Sequence, residues 1–337
     1  GLVEPWPTAA DAVRAFACTQ GQDFPGSTTS IALRTTDRTL GGVRDAYDAG
    51  EIVRSWPMRG TIFVVPPEDL GWMLSLTAAK VHRSTTRRRE ELGLSDAQLD
   101  ASAEIASQAL SGTGLTRADL LATIADAGHD VSEGRGYHTL FHLAVGGLMV
   151  QGPTVGKEQR WVLSSEWIRN PRQLAGTEAI IEWLRRYLTS HGPVPVAEFC
   201  WWTKLTKTEV KPAVEAVRHE FARTTIDGVE YWFAPDLPDR VARLADAFDE
   251  PLLLPGFDEI VLGYGDRSAT LTKAEEALVV PGGNGMFKPT VCHRGRSVGV
   301  WKRPTRKNQP VSVTPFGSEL HPTITDTLPA LTAALPS

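Results

Sequence analysis

The sequence has 337 residues, 42% of them hydrophobic and 22% charged, with a formal net charge of −5 and a pI of about 5.9. A chain of this length exceeds one hydrophobic core, and its acidic balance excludes a globally basic surface, so any nucleic-acid-binding surface must be a local patch. Because the three cysteines are widely spaced, no apolar run reaches about 20 residues and no signal-peptide pattern opens the chain, we expect a soluble cytoplasmic protein without a disulfide framework.

The first informative stretch is CTQGQDFPGS, residues 18–27, which follows an amphipathic helical segment. It carries two neutral amides, Gln20 and Gln22, separated by one glycine. The acid, the glycine and the proline that follow prevent a helix from continuing. From spacing alone, a polar loop that hydrogen-bonds locally is favoured over a catalytic site, because amides are poor acids and bases.

A hairpin and a basic helical segment come next. EIVRSWPM and RGTIFVVPPEDLGWML predict two paired strands and then a helix capped near residues 66–69. VHRSTTRRREELG concentrates four arginines within about two helical turns. The cluster suits phosphate contacts, and the alternative is a solvated helix face paired with Glu90 and Glu91. The arginines are Arg83, Arg87, Arg88 and Arg89.

The middle of the chain repeats a pattern of helices followed by a hairpin. LTRADLLATIADAG and GYHTLFHLAV predict helices, and LMVQG with QRWVLSSEW predicts a hairpin. TEAIIEWLRRYLTSHG, PVAEFCWWTKL and TKTEVKPAVEAV predict three helices, followed by the strands FARTTI and EYWFAP joined through Asp227-Gly228. Three short helices and a hairpin are the winged-helix arrangement, so we predict an α+β protein with three tandem winged-helix units at 1–78, 79–172 and 173–248.

The third unit carries a candidate recognition helix. Thr206 can cap this helix, which begins with Lys207, and Lys204 lies in the preceding turn. Both lysines are therefore candidates for contact with a nucleic-acid backbone.

From about residue 251 the chain changes to short apolar segments separated by Gly, Pro and Asn. LLLPGFDEIVLGYGDRS, ALVVPGGNGMFKPTVCHRGRSVGVWKR and PVSVTPFGSEL predict a small antiparallel β-barrel in 249–337, with a hairpin turning at Arg294-Gly295 and a terminal helix in TDTLPALTAAL. PGGNG, residues 281–285, favours a tight turn over a phosphate-binding loop, because it lacks the P-loop pattern. The acids of FDE and YGDR favour structural ion pairs over catalysis.

HTLFH places His138 and His142 at i, i+4 on one helical face, a spacing that can bind zinc. There is no glutamate next to the first histidine and no obvious third ligand nearby. Amphipathic packing is therefore the favoured interpretation, and we expect no metal.

Taken together, these segments resemble the AlkZ/YcaQ type of winged-helix DNA glycosylases. The resemblance runs in the family's order through CTQGQDFPGSTTSIALR, VRSWPMRGTIFVVPPEDLGWML, GPVPVAEFCWWTKLTKTEV, LLPGFDEIVLGYGDRS and VVPGGNGMFKPTV. It implies three winged-helix units and a β-barrel that curve into a C-shaped body with a DNA-binding channel. The family's catalytic Gln-x-Gln motif maps onto Gln20 and Gln22. Its middle residue is usually aliphatic, and here it is Gly21.

The resemblance implies a monofunctional DNA glycosylase that hydrolyses the N-glycosidic bond of cationic N7-alkylated purines, including bulky adducts or crosslinks. It implies double-stranded DNA as the partner, no cofactor and a monomer. The alternatives are a non-catalytic winged-helix regulatory protein and, less favoured, a metal-dependent hydrolase using the two histidines. Expected backbone contacts come from Arg83, Arg87, Arg88, Lys204 and Lys207, with Arg34, Arg54 and Arg59 lining the channel near the glutamines.

Overall fold

A computed structural model describes residues 1–283, 285–303 and 309–337. Asn284 of the PGGNG segment lies outside the described residues. Gly282, Gly283 and Gly285 around it all have positive φ, as the predicted tight turn requires.

The first 65 residues contain three helices followed by a hairpin. Thr8 and Thr39 cap the first and third helices by accepting hydrogen bonds from Asp11 N and Gly42 N. The hairpin turns at Arg59 and Gly60, both with positive φ, the backbone that a two-residue turn needs. The elements are α1 (Ala9–Phe16), β1 (Thr19–Gln20), α2 (Phe24–Ala32), α3 (Leu40–Asp48), β2 (Val53–Met58) and β3 (Thr61–Val65).

The second repeat begins with the helix predicted to be capped near residues 66–69, which is confirmed: it starts at Pro67. Its hairpin, predicted from LMVQG and QRWVLSSEW, is also confirmed. The elements are α4 (Pro67–Ser84), α5 (Thr86–Glu91), α6 (Asp96–Leu110), α7 (Arg117–Asp126), α8 (Arg135–Val145), β4 (Met149–Val155), β5 (Glu158–Leu163) and α9 (Ser164–Trp167).

The third repeat follows the prediction closely. Thr206 and Glu209 form a reciprocal capping box, which fixes the start of the candidate recognition helix. Asp227 and Gly228 have positive φ and join the final strands. The elements are α10 (Gly176–His191), α11 (Val196–Thr203), α12 (Lys207–Val217), β6 (Ala222–Ile226), β7 (Val229–Phe233) and α13 (Leu237–Arg243).

The C-terminal region differs from the prediction in two respects. The strands form an open antiparallel sheet in the order β11-β10-β9-β8, so the described residues give a sheet and not the predicted barrel. Two segments interpreted as strands are helices, because Asp258 caps one and a capping box at Thr272 starts the other. The elements are β8 (Leu252–Leu254), α14 (Glu259–Leu262), α15 (Lys273–Val279), β9 (Thr290–His293), β10 (Arg296–Lys302), β11 (Ser312–Pro315) and α16 (Pro322–Ala333).

The strands of the first two repeats join in one sheet, in the order β1-β3-β2-β4-β5, while β6 and β7 form a separate ribbon. The largest buried cluster spans all three repeats and includes Phe63, Trp72, Val150, Trp183 and Trp202. The α+β class is thus confirmed, and in each repeat helices precede a hairpin. The winged-helix assignment and the unit boundaries stay predictions. Among the described residues, no helix is long and apolar enough to cross a bilayer.

Candidate active site and nucleic-acid interface

The two glutamines lie in one tight turn at the end of β1. Gln20 pairs with Phe63 on β3 and is buried, whereas Gln22 is exposed. The Gln20 side chain turns back on its own loop, where its Oε1 accepts hydrogen bonds from Gly21 N at 2.8 Å and Gln22 N at 3.0 Å. The side-chain amide of Gln20 therefore closes the loop, and Gln22 is exposed at the surface.

Gly21 packs directly against the backbone of β3. Its N–H donates to Ile62 O at 2.9 Å. A Cβ at this position would lie 2.8 Å from the carbonyl carbon of Phe63 and 3.0 Å from Val64 N, closer than real Cβ atoms approach backbone. Only glycine fits the observed geometry, so the absence of an aliphatic side chain allows close packing of the loop.

Arg54 braces the loop at the carbonyl oxygen of Gly21. Its guanidinium donates to Gly21 O through Nε at 2.9 Å and also through Nη2. Its Nη1 donates to Gln151 Oε1 and Gln159 Oε1, both at 2.8 Å. Arg54 is buried, and burial lowers the pKa of its guanidinium. The prediction placed Arg54 near the glutamines, but its donors hold the loop instead of facing a phosphate.

Arg34 is a second correction to the predicted channel lining. Its Nη1 and Nη2 donate to the two carboxylate oxygens of Asp258, each at 2.8 Å, and both side chains are almost completely buried. Burial alone would raise the pKa of Asp258, but the charge and hydrogen bonds of Arg34 hold it below its usual range. This confirms the ion-pair interpretation for Asp258 of FDE, and the almost complete burial of Arg34 leaves it little surface for contact with DNA.

Glu259 is a buried acid beside the glutamine loop that sequence reasoning missed as a site residue. Gln20 N donates to its Oε1, a contact between residues 239 positions apart. Its Oε2 lies 3.7 Å from His191 Nε2. Glu259 follows a capping acid in FDE, a pattern typical of a helix start. Nothing in the local sequence indicates that its partner is the distant Gln20.

Asp23 directly follows the motif and starts α2. It is half-buried, and burial is the main reason that its pKa is raised. Its position places a carboxyl group next to Gln22 in sequence.

The remaining predicted cations lie at two places. Arg59, predicted to line the channel near the glutamines, is half-buried, and the others were predicted to contact the DNA backbone. Arg59 and Lys204 share the ring of Trp201, with their charged groups 4.9 Å and 5.5 Å from its centroid. Lys207 is exposed at the first residue of α12. On α5, Arg87 and Arg88 pair with Glu91 at 3.0 Å and 3.1 Å, and Arg83 is exposed at the end of α4.

Two neighbouring cavities of about 470 Å³ and 720 Å³ share Phe24 and Lys157 in their linings. Phe24 lies two residues beyond Gln22, and the Arg54 guanidinium lies 5.1 Å from its ring centroid. The linings contain cations that the sequence reasoning missed because they come from separate repeats. These are Arg44, Arg117, Lys157 and Arg303.

His138 and His142 lie on α8, where the His142 ring is 4.2 Å from that of His82. Burial, reinforced by the His82 and Arg89 charges, lowers the pKa of His142 to about 4. In the described part of the chain, no three His, Cys, Asp or Glu side chains come together as a metal site.

Comparison with known proteins gives consistent matches over nearly the whole chain. The family model described as DNA glycosylase AlkZ-like matches residues 13–335. An interstrand DNA cross-link repair glycosylase from Streptomyces sahachiroi is 27% identical over 327 residues, covering 92% of this chain and 85% of that protein. The solved structure of the Streptomyces sahachiroi DNA glycosylase AlkZ superposes with a TM-score of 0.78 at 23% identity, covering 98% of this chain and 93% of the other.

Proposed function

The chain belongs to the family of AlkZ-like DNA glycosylases, and we propose that it hydrolyses the N-glycosidic bond of cationic N7-alkylated purines in double-stranded DNA. Gln20 and Gln22 are the proposed catalytic residues. The single observation that supports this assignment best is the braced turn in which Gln20 closes the loop and Gln22 is exposed, two residues before Phe24, which lines a cavity with cationic side chains.

The chemistry of the lesion explains how amides can suffice. Alkylation at N7 gives the purine a positive charge, so the base departs as a neutral molecule and needs no protonation by a general acid. The enzyme must place a water beneath the developing oxocarbenium and stabilise that cation. A glutamine oxygen can accept a hydrogen bond from the water, and holding that water in line is a proximity effect worth several kcal/mol in favourable cases.

The two glutamines have different parts in this proposal. The Oε1 atom of Gln20 is committed to two backbone N–H groups, so Gln20 fixes the shape of the loop. Gln22 is exposed and can direct its amide oxygen at water or at the sugar. A loop fixed before the reaction avoids the cost of reorganising its dipoles during the reaction.

We propose that the three helix–hairpin repeats are winged-helix units that grip the duplex backbone. The exposed cations Arg83, Lys204 and Lys207 and the cavity-lining Arg117 and Lys157 are the proposed phosphate contacts. An open channel would hold a duplex while the loop reaches the sugar, so a bulky adduct or crosslink need not be flipped into a closed pocket.

The test is single-turnover release of 7-methylguanine from a methylated duplex. We expect Gln22→Ala to slow release more strongly than Gln20→Ala, with duplex affinity retained in both. Gln108→Ala, which removes an exposed glutamine on α6, is the matched control and should release base at the wild-type rate. Rapid excision of uracil, a neutral base, would contradict the mechanism.

The same experiment separates the proposal from its alternatives. A non-catalytic regulatory protein would bind the duplex and release no base, from either the methylated duplex or one carrying a bulkier N7 adduct. A hydrolase dependent on His138 and His142 would lose activity in a chelator. We expect release to be unchanged by EDTA.

A further inference from the structure

We propose that Glu259 is a positioning residue for the catalytic loop, holding Gln20 through a buried hydrogen bond to its backbone N–H. The inference rests on the proposed function of Gln20 and Gln22. It adds a residue from the C-terminal region to a site otherwise built by the first two repeats.

The first argument is the cost of the arrangement. A carboxylate removed from water loses several kcal/mol of solvation unless it is paired and hydrogen-bonded. Glu259 is 3% exposed, and one of its oxygens accepts the Gln20 N–H. The other oxygen lies 3.7 Å from His191 Nε2, beyond hydrogen-bond distance, and within the described residues neither of those two atoms has a hydrogen-bond partner. Burial of this carboxylate costs solvation free energy, and the group makes one strong contact. We infer that this contact has a role.

The second argument is that the carboxylate itself is rigidly placed. Asp258, its neighbour, caps α14 and is fixed by the bidentate contact with Arg34 and by Ser30 Oγ at 2.6 Å. His191 stacks on Tyr187 with ring centroids 4.3 Å apart. Glu259 is therefore the first residue of an anchored helix, and its carboxylate contacts the loop beside the His191 ring.

The third argument is the geometry of the loop. Gln20 has one face of its backbone paired to β3 at Phe63, while its N–H points to Glu259. Its side chain then accepts from Gly21 N and Gln22 N. If the Gln20 backbone rotates, the amide that closes the loop rotates with it, and Gln22 loses its fixed position. Glu259 thus acts on Gln22 through Gln20.

Substitutions at Glu259 separate positioning from a general effect of a buried acid. Glu259→Ala removes the acceptor, and Glu259→Asp withdraws the carboxylate by one methylene. Glu259→Gln keeps an oxygen that can accept the same bond. A hydrogen bond to a charged acceptor, worth about 1.5–3 kcal/mol, corresponds to a rate effect of about 10- to 100-fold. In the Ala and Asp variants we expect base release to slow by this factor, with the duplex Kd unchanged. In the Gln variant we expect a rate within about threefold of wild type.

Asp69→Asn is the control for disturbing a buried carboxylate elsewhere. Asp69 is fully buried and bound by Arg172 and Arg186. We expect it to lower the midpoint of unfolding without slowing release of base by the folded protein. A wild-type rate in Glu259→Ala, or a Gln variant as slow as the Ala variant, would overturn the inference.

Hydrogen exchange gives a readout that does not depend on activity. The peptide containing Gln20 to Gln22 should exchange faster in Glu259→Ala and Glu259→Asp than in wild type, and at the wild-type rate in Glu259→Gln. If the wild-type protein releases no base, the proposed function fails, and faster exchange would still support Glu259 as the support of this loop. Unchanged exchange would overturn the inference, whatever the activity.

Discussion

Replacing Gly21 tests whether the proposed catalytic loop is held by close backbone packing. The family pattern, with an aliphatic residue usually at this position, would by itself allow Gly21→Ala or Gly21→Leu. The structure predicts the opposite. A new Cβ would lie 2.8 Å from Phe63 C and must move by roughly half an ångström to reach ordinary contact at 3.4 Å. The loop or β3 must shift to make that room.

The cost can be worked from that shift. Overpacking of this kind typically destabilises by about 1–3 kcal/mol, and each kcal/mol lowers the unfolding midpoint by about 2–4 °C in domains of about 150–250 residues. Since a misplacement of about 1 Å can cost about 100-fold in rate, half that shift predicts about a tenfold loss for Gly21→Ala. Gly21→Leu should be worse in both respects.

Calorimetry and single-turnover release measure the two effects. The matched control is Gly71→Ala on α4, where an added Cβ meets nothing within 4 Å. Gly71→Ala should be neutral or stabilise by up to about 1 kcal/mol, because alanine favours a helix. A Gly21→Ala protein with the wild-type midpoint and rate would refute the argument from close packing.

Further outcomes follow from single side chains. Arg54→Met should slow release about 10- to 100-fold by removing the donors to the Gly21 carbonyl, and a change in duplex affinity instead would contradict a bracing role. Lys157→Ala should reduce the salt dependence of duplex binding by about one unit, whereas Lys273→Ala, 97% exposed and outside both cavities, should not. The pKa of His142 is lowered to about 4, so the folded protein resists protonation and loses stability as pH falls from about 6.5 to 4. In urea titrations, the free energy of unfolding of His142→Gln relative to wild type should therefore increase as the pH falls across that interval. A difference that does not change with pH would contradict this sign.

Local signals in the sequence predicted most elements, because each depends on neighbouring residues. Asp227-Gly228 specifies a hairpin through positive φ, and Thr206 specifies a helix start through its capping box. The same signal was overlooked at Thr272, where a capping box turns an apolar run into α15. The open C-terminal sheet could not be predicted, because closure depends on how strands far apart in sequence pair.

The glutamine pair could be located from the sequence only through the family resemblance, since two amides are weak evidence for catalysis. What holds the pair was beyond local reasoning. Arg34 and Arg54 look alike in sequence, as cations near the motif, yet both are buried by partners from distant segments. Because both guanidinium groups pair with residues distant in sequence, these two predicted DNA contacts are structural residues instead. Glu259 was hidden for the same reason.

A site that relies on amides depends on geometry more than a site that relies on titrating groups. A carboxylic acid can be tuned by its surroundings to donate a proton at neutral pH, and an amide cannot. The contribution of Gln22 must then come from where its oxygen is held. Three separate constraints act on the backbone that carries Gln22: the β3 backbone against Gly21, Arg54 on the Gly21 carbonyl and Glu259 on the Gln20 N–H. Because the proposed substrate already carries the charge that a general acid would supply, the protein's main contribution in this proposal is rigid placement of the amide. Loosening any one constraint should therefore lower the rate of base release before it lowers the affinity for DNA.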